Sequence, residues 1–355
     1  MGRMSWFRTI PHEDSGREDD YYDDPDFPRS RSFWDAILAG GIALVGLFPA
    51  WAPVAYVSTQ VVGAHMLAFG RAIGVLFLIF ALFPGKGQHK DSKAAVTLMS
   101  IVAAIFLIWP HSGPLSAWDW TGAEEAASPG LDGTEELRVV TFNAQDSFGV
   151  AEMAELERTF GADIYVLPEV RPEQLAAAAA AHPQFAAYES RTEQTVAPTG
   201  LLIRRELGEY HYGEAVETTF GSVRVEPAQA GLPIIEGIHT APPLPESMDA
   251  WRADLQRVMA ARDVAHPQPF ILAGDFNATL RHGPLAQRTQ LIDAAQSCGR
   301  IVGTWPAHIA WVPRWLASPI DHILLSPGLT ASDCRVERIG ASDHAAFGAT
   351  ISSRA

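Results

Sequence analysis

From Ala36 to Phe83 runs a stretch of 48 residues in which the only ionisable side chains are Tyr56, His65 and Arg71. That is too long for one helix in the core of a soluble domain, and at about 20 residues per crossing it suits two membrane spans. Pro49 and Pro53, beside Trp51 and Tyr56, mark the turn, because proline breaks helices and amphipathic aromatics favour the membrane interface. A third apolar run, Ala94 to Trp109, has 16 residues, slightly short of the usual span of about 17–25. A cleaved signal peptide is the alternative, but no small-residue cleavage site follows a single short apolar stretch. The expected transmembrane region is therefore 33–109, with spans near 33–52, 58–83 and 94–110.

Basic residues orient these spans. Arg3, Arg8, Arg17, Arg29 and Arg31 precede the first, Lys86, Lys90 and Lys93 follow the second, and the turn between them has none. Positive residues stay cytoplasmic, so a third crossing places everything after Trp109 outside the cytoplasm. Arg71, at mid-span, costs about 2.5–3.5 kcal/mol on insertion scales and calls for a partner within the bundle, snorkelling or a shifted span boundary. Residues 1–32, with their acidic run and no apolar pattern, are expected to be a disordered cytoplasmic tail. Residues 110–136, rich in Pro, Gly, Ser and acidic side chains, are expected to be a linker.

The remainder, 137–355, alternates short apolar runs with helical patterns, which indicates one α/β domain. Leu137 to Phe142, Ile164 to Pro168, Gly200 to Ile203, Ile234 to His239, Phe270 to Ala273 and Ile320 to Leu325 are expected strands. Ala151 to Phe160, Pro172 to Ala181 and Glu246 to Ala265 are expected helices. From Asp119 onward there are 17 Arg, no Lys and 31 Asp or Glu, so this part carries 17 − 31 = −14. A protein that grips nucleic acid by charge alone is thereby excluded. Two cysteines, Cys298 and Cys334, exclude a disulfide-built scaffold, and their spacing leaves open whether they pair.

Polar residues cluster where the expected strands end. They are Asn143 in Val-Thr-Phe-Asn, Glu169 in Val-Leu-Pro-Glu-Val, and His239 in Gly-Ile-His-Thr-Ala-Pro. Asp275 and Asn277 follow in Gly-Asp-Phe-Asn, Asp321 in Pro-Ile-Asp-His, and Asp343 and His344 in Ser-Asp-His. Each alone has an ordinary structural explanation as a turn residue, a helix-end charge or a satisfied buried histidine. Six motifs at six strand ends can instead converge on one pocket, since α/β sheets assemble their sites there.

In this order the motifs resemble the endonuclease/exonuclease/phosphatase superfamily, the DNase I-like fold, from about Leu137 to Ile351. Trp251-Arg252 and Thr304-Trp305-Pro306 are similar to bacterial members with membrane-spanning N-termini. The resemblance implies a two-sheet α/β sandwich preceded by about three transmembrane helices. Two positions depart from the pattern: Pro168, where many relatives have Gln, and Gln145, where some have an acidic residue near the metal.

Hydrolysing a phosphoester needs neutralised non-bridging oxygens, an activated water and a protonated leaving oxygen. Glu169 with Asn143 is a hard oxygen set suited to Mg2+ or Mn2+, and Asp343 completes a second metal position or the coordination shell. Asp321 is expected to orient His344, making that histidine a general base or a phosphate-binding imidazolium. Asp275 with Asn277 orients water and phosphate, and His239 holds the phosphate or protonates the leaving group. The expected activity is a membrane-anchored nuclease working outside the cytoplasm. Alternatives are a lipid or small-molecule phosphoesterase, and an inactive binding module.

Overall fold

A computed structural model describes residues 37–42, 54–82, 90–108, 130–131, 136–191, 197–299, 303–309 and 312–354. The expected acidic tail, most of the first expected span and most of the expected linker lie outside the described residues. Strands β1 Leu137–Thr141, β2 Ile164–Leu167, β3 Phe185–Glu189, β4 Gly200–Arg204, β11 Leu329–Arg338 and β12 Ala345–Ser353 form one sheet, in the order β11-β12-β1-β2-β4-β3. Strands β5 Tyr210–Tyr212, β6 Ser222–Pro227, β7 Ile234–His239, β8 Phe270–Asp275, β9 Ile292–Asp293 and β10 Asp321–Leu325 form the second, in the order β5-β6-β7-β8-β10-β9.

Every residue of β2, β8 and β10 is buried because both faces of each are covered, which explains the apolar runs Ile164–Leu167, Phe270–Ala273 and Ile323–Leu325 within them. Between the sheets, Val139, Ile164 and Val166 share a core with Ile235, Ile271 and Ile323. The helices of the domain are α5 Val150–Phe160, α6 Pro172–Ala181 and α7 Met248–Arg262, with the short α8 Gly283–Ala286 and α9 Ala294–Ser297. Helix α5 repeats Met153, Leu156 and Phe160 on one face and covers the outside of the first sheet. Trp251, Leu255 and Val258 of α7 cover the outside of the second. The result is the expected α/β sandwich, two sheets between helical layers. Six of its strands, β3, β5, β6, β9, β11 and β12, were not among the expected ones.

The N-terminal helices differ more. They are α1 Val54–Val57, α2 Val61–Ala68, α3 Gly70–Leu82 and α4 Lys90–Ile108. Among the described residues no single helix is long and apolar enough to cross a membrane; α2 and α3 pass only as a pair, bent by 71°. The expected span 58–83 is thus no straight helix. Its first part turns onto the catalytic domain, where Ala64 is fully buried beside Trp251, Phe276 and Leu285. Polar groups seal this contact: Gly283 N donates to Ser58 Oγ at 2.9 Å and Arg252 to the Thr59 carbonyl at 2.9 Å. Arg71 accordingly sits near the start of α3 rather than at mid-span, and donates to the Trp315 carbonyl at 3.2 Å.

Cys298 and Cys334 are disulfide-bonded, with Cα atoms 6.0 Å apart. The bond ties the end of α9, which follows β9, to β11, and so one sheet to the other.

Candidate active site

Strand pairing sets the site. His239 ends β7 and Asp275 ends β8, and the two stand in parallel register; Asp321 opens β10 opposite Asp275. Three chemistry-bearing residues therefore form one row across the edge of the second sheet. In the first sheet β1 and β2 run parallel and end at a common edge, so Asn143 and Glu169 lie two residues beyond them. Strand β12 is antiparallel to β1 and begins just after His344, bringing Asp343 and His344 to the same edge.

The rows meet at short range. Asn143 Nδ2 donates to Glu169 Oε1 at 3.0 Å and to Asp275 Oδ2 at 2.9 Å. His344 Nδ1 lies 2.8 Å from Asp321 Oδ2, the contact expected from sequence, and its Nε2 lies 3.7 Å from Asp275 Oδ2 and 4.0 Å from Asp343 Oδ1. His239 Nδ1 faces the Ala197 carbonyl at 3.4 Å, which assigns the hydrogen to that nitrogen. Its Nε2 faces Glu169 at 3.6 Å and Asp275 at 3.7 Å. Asn277 donates its backbone N–H to Asp275 Oδ1 at 2.7 Å, and its side-chain amide to the Thr240 carbonyl at 2.9 Å. It braces Asp275 and the loop after β7. Gly274 has φ 144°, and a Cβ there would lie 2.0 Å from the Ile238 carbonyl oxygen, so the glycine of Gly-Asp-Phe-Asn lets two strands approach.

The family model for the endonuclease/exonuclease/phosphatase family matches residues 140–344, more than half of the 355-residue chain. The chain belongs to that family. It is thereby a phosphoester hydrolase of a divalent-metal-dependent kind. Among solved structures it is similar to D. rerio TDP2 complexed with a single-strand DNA product, at 15% identity and TM-score 0.48, over 62% of this chain and 100% of that one. It is similar also to an endonuclease/exonuclease/phosphatase from Beutenbergia cavernae, at 18% identity and TM-score 0.46, over 61% and 72%. A mannosyl-6-phosphatase from Bacteroides thetaiotaomicron is similar at 17% identity and TM-score 0.46, over 61% and 99%. No match is found among curated protein sequences.

The electrostatics of this family member separate its two site histidines. Burial, only partly opposed by Asp275, pushes His239 below its ordinary value and keeps it neutral. Burial acts the same way on His344, but Asp321 and Asp275 outweigh it and push that histidine up to about 10, so it carries charge at neutral pH. Burial raises Asp275, with repulsion from Asp321 adding to it, and burial raises Glu169. Four carboxylates, Glu169, Asp275, Asp321 and Asp343, thus gather around one imidazolium. Asp321 Oδ1 is buried without a hydrogen-bond partner. Asp275, Asp321 and His344 also offer ligand atoms within 4.8 Å of one another. This surplus of anionic oxygen fits a hard divalent cation. Glu169 and Asp343, with 26% and 24% of their side chains exposed, are its open carboxylates.

Several contributors escape a sequence reading. Trp305 Nε1 donates to Asp343 Oδ2 at 2.9 Å, and Asp343 N donates to Gln145 Oε1 at 3.2 Å. Ser342 Oγ donates to the Asn143 carbonyl at 2.7 Å and accepts from His344 N at 3.0 Å. Asp254 is fully buried on α7 and accepts from Ala241 N and Thr219 N, both at 3.0 Å, fixing the loop behind His239. An acidic residue on the apolar face of a helix was its only signal. His282, which follows the Gly-Asp-Phe-Asn motif in sequence, is buried: Thr279 N donates to its Nδ1 at 2.7 Å, and its Nε2 reaches the Ala64 carbonyl at 2.9 Å. It holds the N-terminal segment.

Proposed function

We propose that this chain is a membrane-anchored, Mg2+- or Mn2+-dependent phosphodiesterase acting on nucleic acid outside the cytoplasm. The observation that carries the reading is the meeting of Asn143, Glu169, His239, Asp275, Asp321 and His344 in one cluster of hydrogen bonds and close charged contacts. Glu169 and Asp343, with Asn143 beside them, would hold the cation, which supplies charge neutralisation on the phosphate's non-bridging oxygens. Asp275, whose raised carboxyl is a stronger base than an ordinary aspartate, orients the water and takes its proton. His344, fixed by Asp321, places its positive charge against the phosphate. His239, kept neutral with its hydrogen on Nδ1, faces Asp275 through its unprotonated Nε2 at 3.7 Å, where it accepts the proton that Asp275 took from the water and passes it to the leaving oxygen.

Nucleic acid as substrate is supported by the partial exposure of Glu169 and Asp343, since a polymer's phosphate can reach an open edge without threading. The proposed domain layout is tail 1–32, transmembrane region 33–109, linker 110–136 and catalytic domain 137–355. The charge asymmetry of the flanking segments supports an outside catalytic domain, and so does the Cys298–Cys334 bond, because disulfides persist in oxidising compartments. A lipid phosphoester is the second reading. It is favoured by a cleft lined by Leu67, Ala68, Leu280, Val336 and Phe347 that reaches Asp321, where the N-terminal helices supply part of the wall.

The test is the detergent-solubilised full chain with Mg2+ or Mn2+ against plasmid, single-stranded DNA, sphingomyelin and phosphoinositides. Cleavage of DNA is expected. Turnover of lipid alone replaces the nuclease reading with the second, and full activity in excess EDTA overturns both. Protease added to intact spheroplasts should remove the catalytic domain; protection until lysis would put it in the cytoplasm.

A further inference from the structure

Trp305 touches two regions that the chemistry does not otherwise connect. Its indole N–H donates to Asp343 Oδ2 at 2.9 Å, and its ring faces that of Phe69, with centroids 5.8 Å apart and planes at 51°. Phe69 is the residue at the bend between α2 and α3. The loop carrying Trp305 is pinned at several points. Trp305 N donates to the Ser318 carbonyl at 3.0 Å, Ala345 N to the Thr304 carbonyl at 2.9 Å, and Ala307 N to the Asp343 carbonyl at 2.5 Å. Arg71, two residues beyond Phe69, adds its bond to the Trp315 carbonyl further along the same chain segment.

Asp343 needs such support. Part of its side chain is open to water, one oxygen faces His344 at 4.0 Å, and the other is held by the indole. A carboxylate fixed through one oxygen presents the other in a constant direction, and outer partners of this kind set how well a ligand binds its metal. We infer that Trp305 is a positioning residue for Asp343 and that the α2–α3 bend, acting through Phe69, holds Trp305 in place, so that the seating of the N-terminal segment sets the affinity of the site for its divalent cation. This rests on the reading of Asp343 as an open metal ligand beside Glu169. A role in packing alone would change stability and leave metal affinity as it is.

The experiment titrates Mn2+ into the detergent-solubilised full chain and follows free Mn2+ by electron paramagnetic resonance, a readout independent of turnover. Trp305→Phe keeps a ring against Phe69 and loses the N–H; binding should weaken about tenfold, the lower end for losing an outer partner. Phe69→Ala keeps the N–H and removes its support; binding should weaken severalfold, and Phe69→Tyr should restore it. Glu169→Gln serves as the reference. If it loses Mn2+ binding while Trp305→Phe and Phe69→Ala bind like the wild type, the positioning inference is wrong. If Glu169→Gln itself binds like the wild type, the metal reading beneath it has failed instead. Weakening in Trp305→Phe but not in Phe69→Ala would keep the indole and sever the link to the N-terminal segment, overturning the coupling. Melting curves of each variant separate lost affinity from lost fold.

Discussion

Two histidine–carboxylate pairs lie on opposite faces of β10, and only one belongs to the site. Asp321 and His322 are neighbours on the strand, so their side chains point to opposite sides. Asp321 turns to His344 at 2.8 Å; His322 turns to Asp293 at 2.9 Å. Burial does not tell them apart, since His344 is 6% exposed and His322 3%. What differs is the second ring nitrogen. In His322 it is consumed by the Ala278 carbonyl at 2.8 Å, which makes the pair a strut between loops. In His344 it faces Asp275 and Asp343 across the open edge, where a reacting phosphate can arrive. A histidine and a carboxylate become catalytic through what the remaining nitrogen is left to meet.

The largest effect expected on the catalytic side of this comparison is that of Glu169→Gln. Metal-dependent turnover should fall by more than about 10⁴-fold, beyond the usual loss for one acid or base, with an unchanged far-UV spectrum. Rates near wild type would remove the carboxylate edge from the mechanism. His344→Ala and Asp321→Ala should each cost about 10² to 10⁴ in kcat. Because the pair acts as a unit, the double mutant should be little worse than the worse single one, and additive losses would show two separate roles.

His322→Ala sharpens the contrast from the other face. It takes the partner of Oδ2 from the buried Asp293 and leaves only the Gln296 N–H on Oδ1, so chemical denaturation should report a stability loss of about 3–5 kcal/mol, while kcat per folded molecule stays within about twofold. A large fall in kcat at unchanged stability would erase the distinction between the two pairs.

The smallest expected effect is one of pH. Burial lowers His282 from 6.5 to about 4, so the unfolded chain takes up the proton first. Stability is therefore complete above about pH 6.5 and declines as pH falls towards about 4, by up to about 3 kcal/mol. Melting temperatures across that window should slope in the wild type and flatten in His282→Gln.

The legibility of the fold followed burial. Strands covered on both faces stood out in the sequence: β2 and the Phe270–Ala273 part of β8 as apolar runs, and β7 and β10 as mostly apolar runs that also hold Glu236 and Asp321-His322. Strand β11, whose exposed and buried residues mix and whose register shifts between Ser332 and Arg335, carries no such run. The convergence of the polar motifs was legible because each ends or begins a strand at a common edge. Trp305 on Asp343, Asp293 on His322 and Asp254 behind His239 were not, because each joins segments whose proximity only the tertiary fold decides. The bend at Phe69 was hidden for a different reason: apolar side chains suit a bilayer and a protein core equally, and Ala64 lies in the core.

That buried Ala64 changes what kind of attachment the enzyme has. A domain joined to its anchor only by a polar linker swings on a leash and samples every orientation above its support. Here the 58–71 segment is docked on the domain through His282, Gly283, Arg252 and the Trp315 carbonyl, so α3 leaves the domain in a direction set by the fold. If α3 and α4 are held by a bilayer, as proposed, that docking would limit the angles from which a phosphoester can approach.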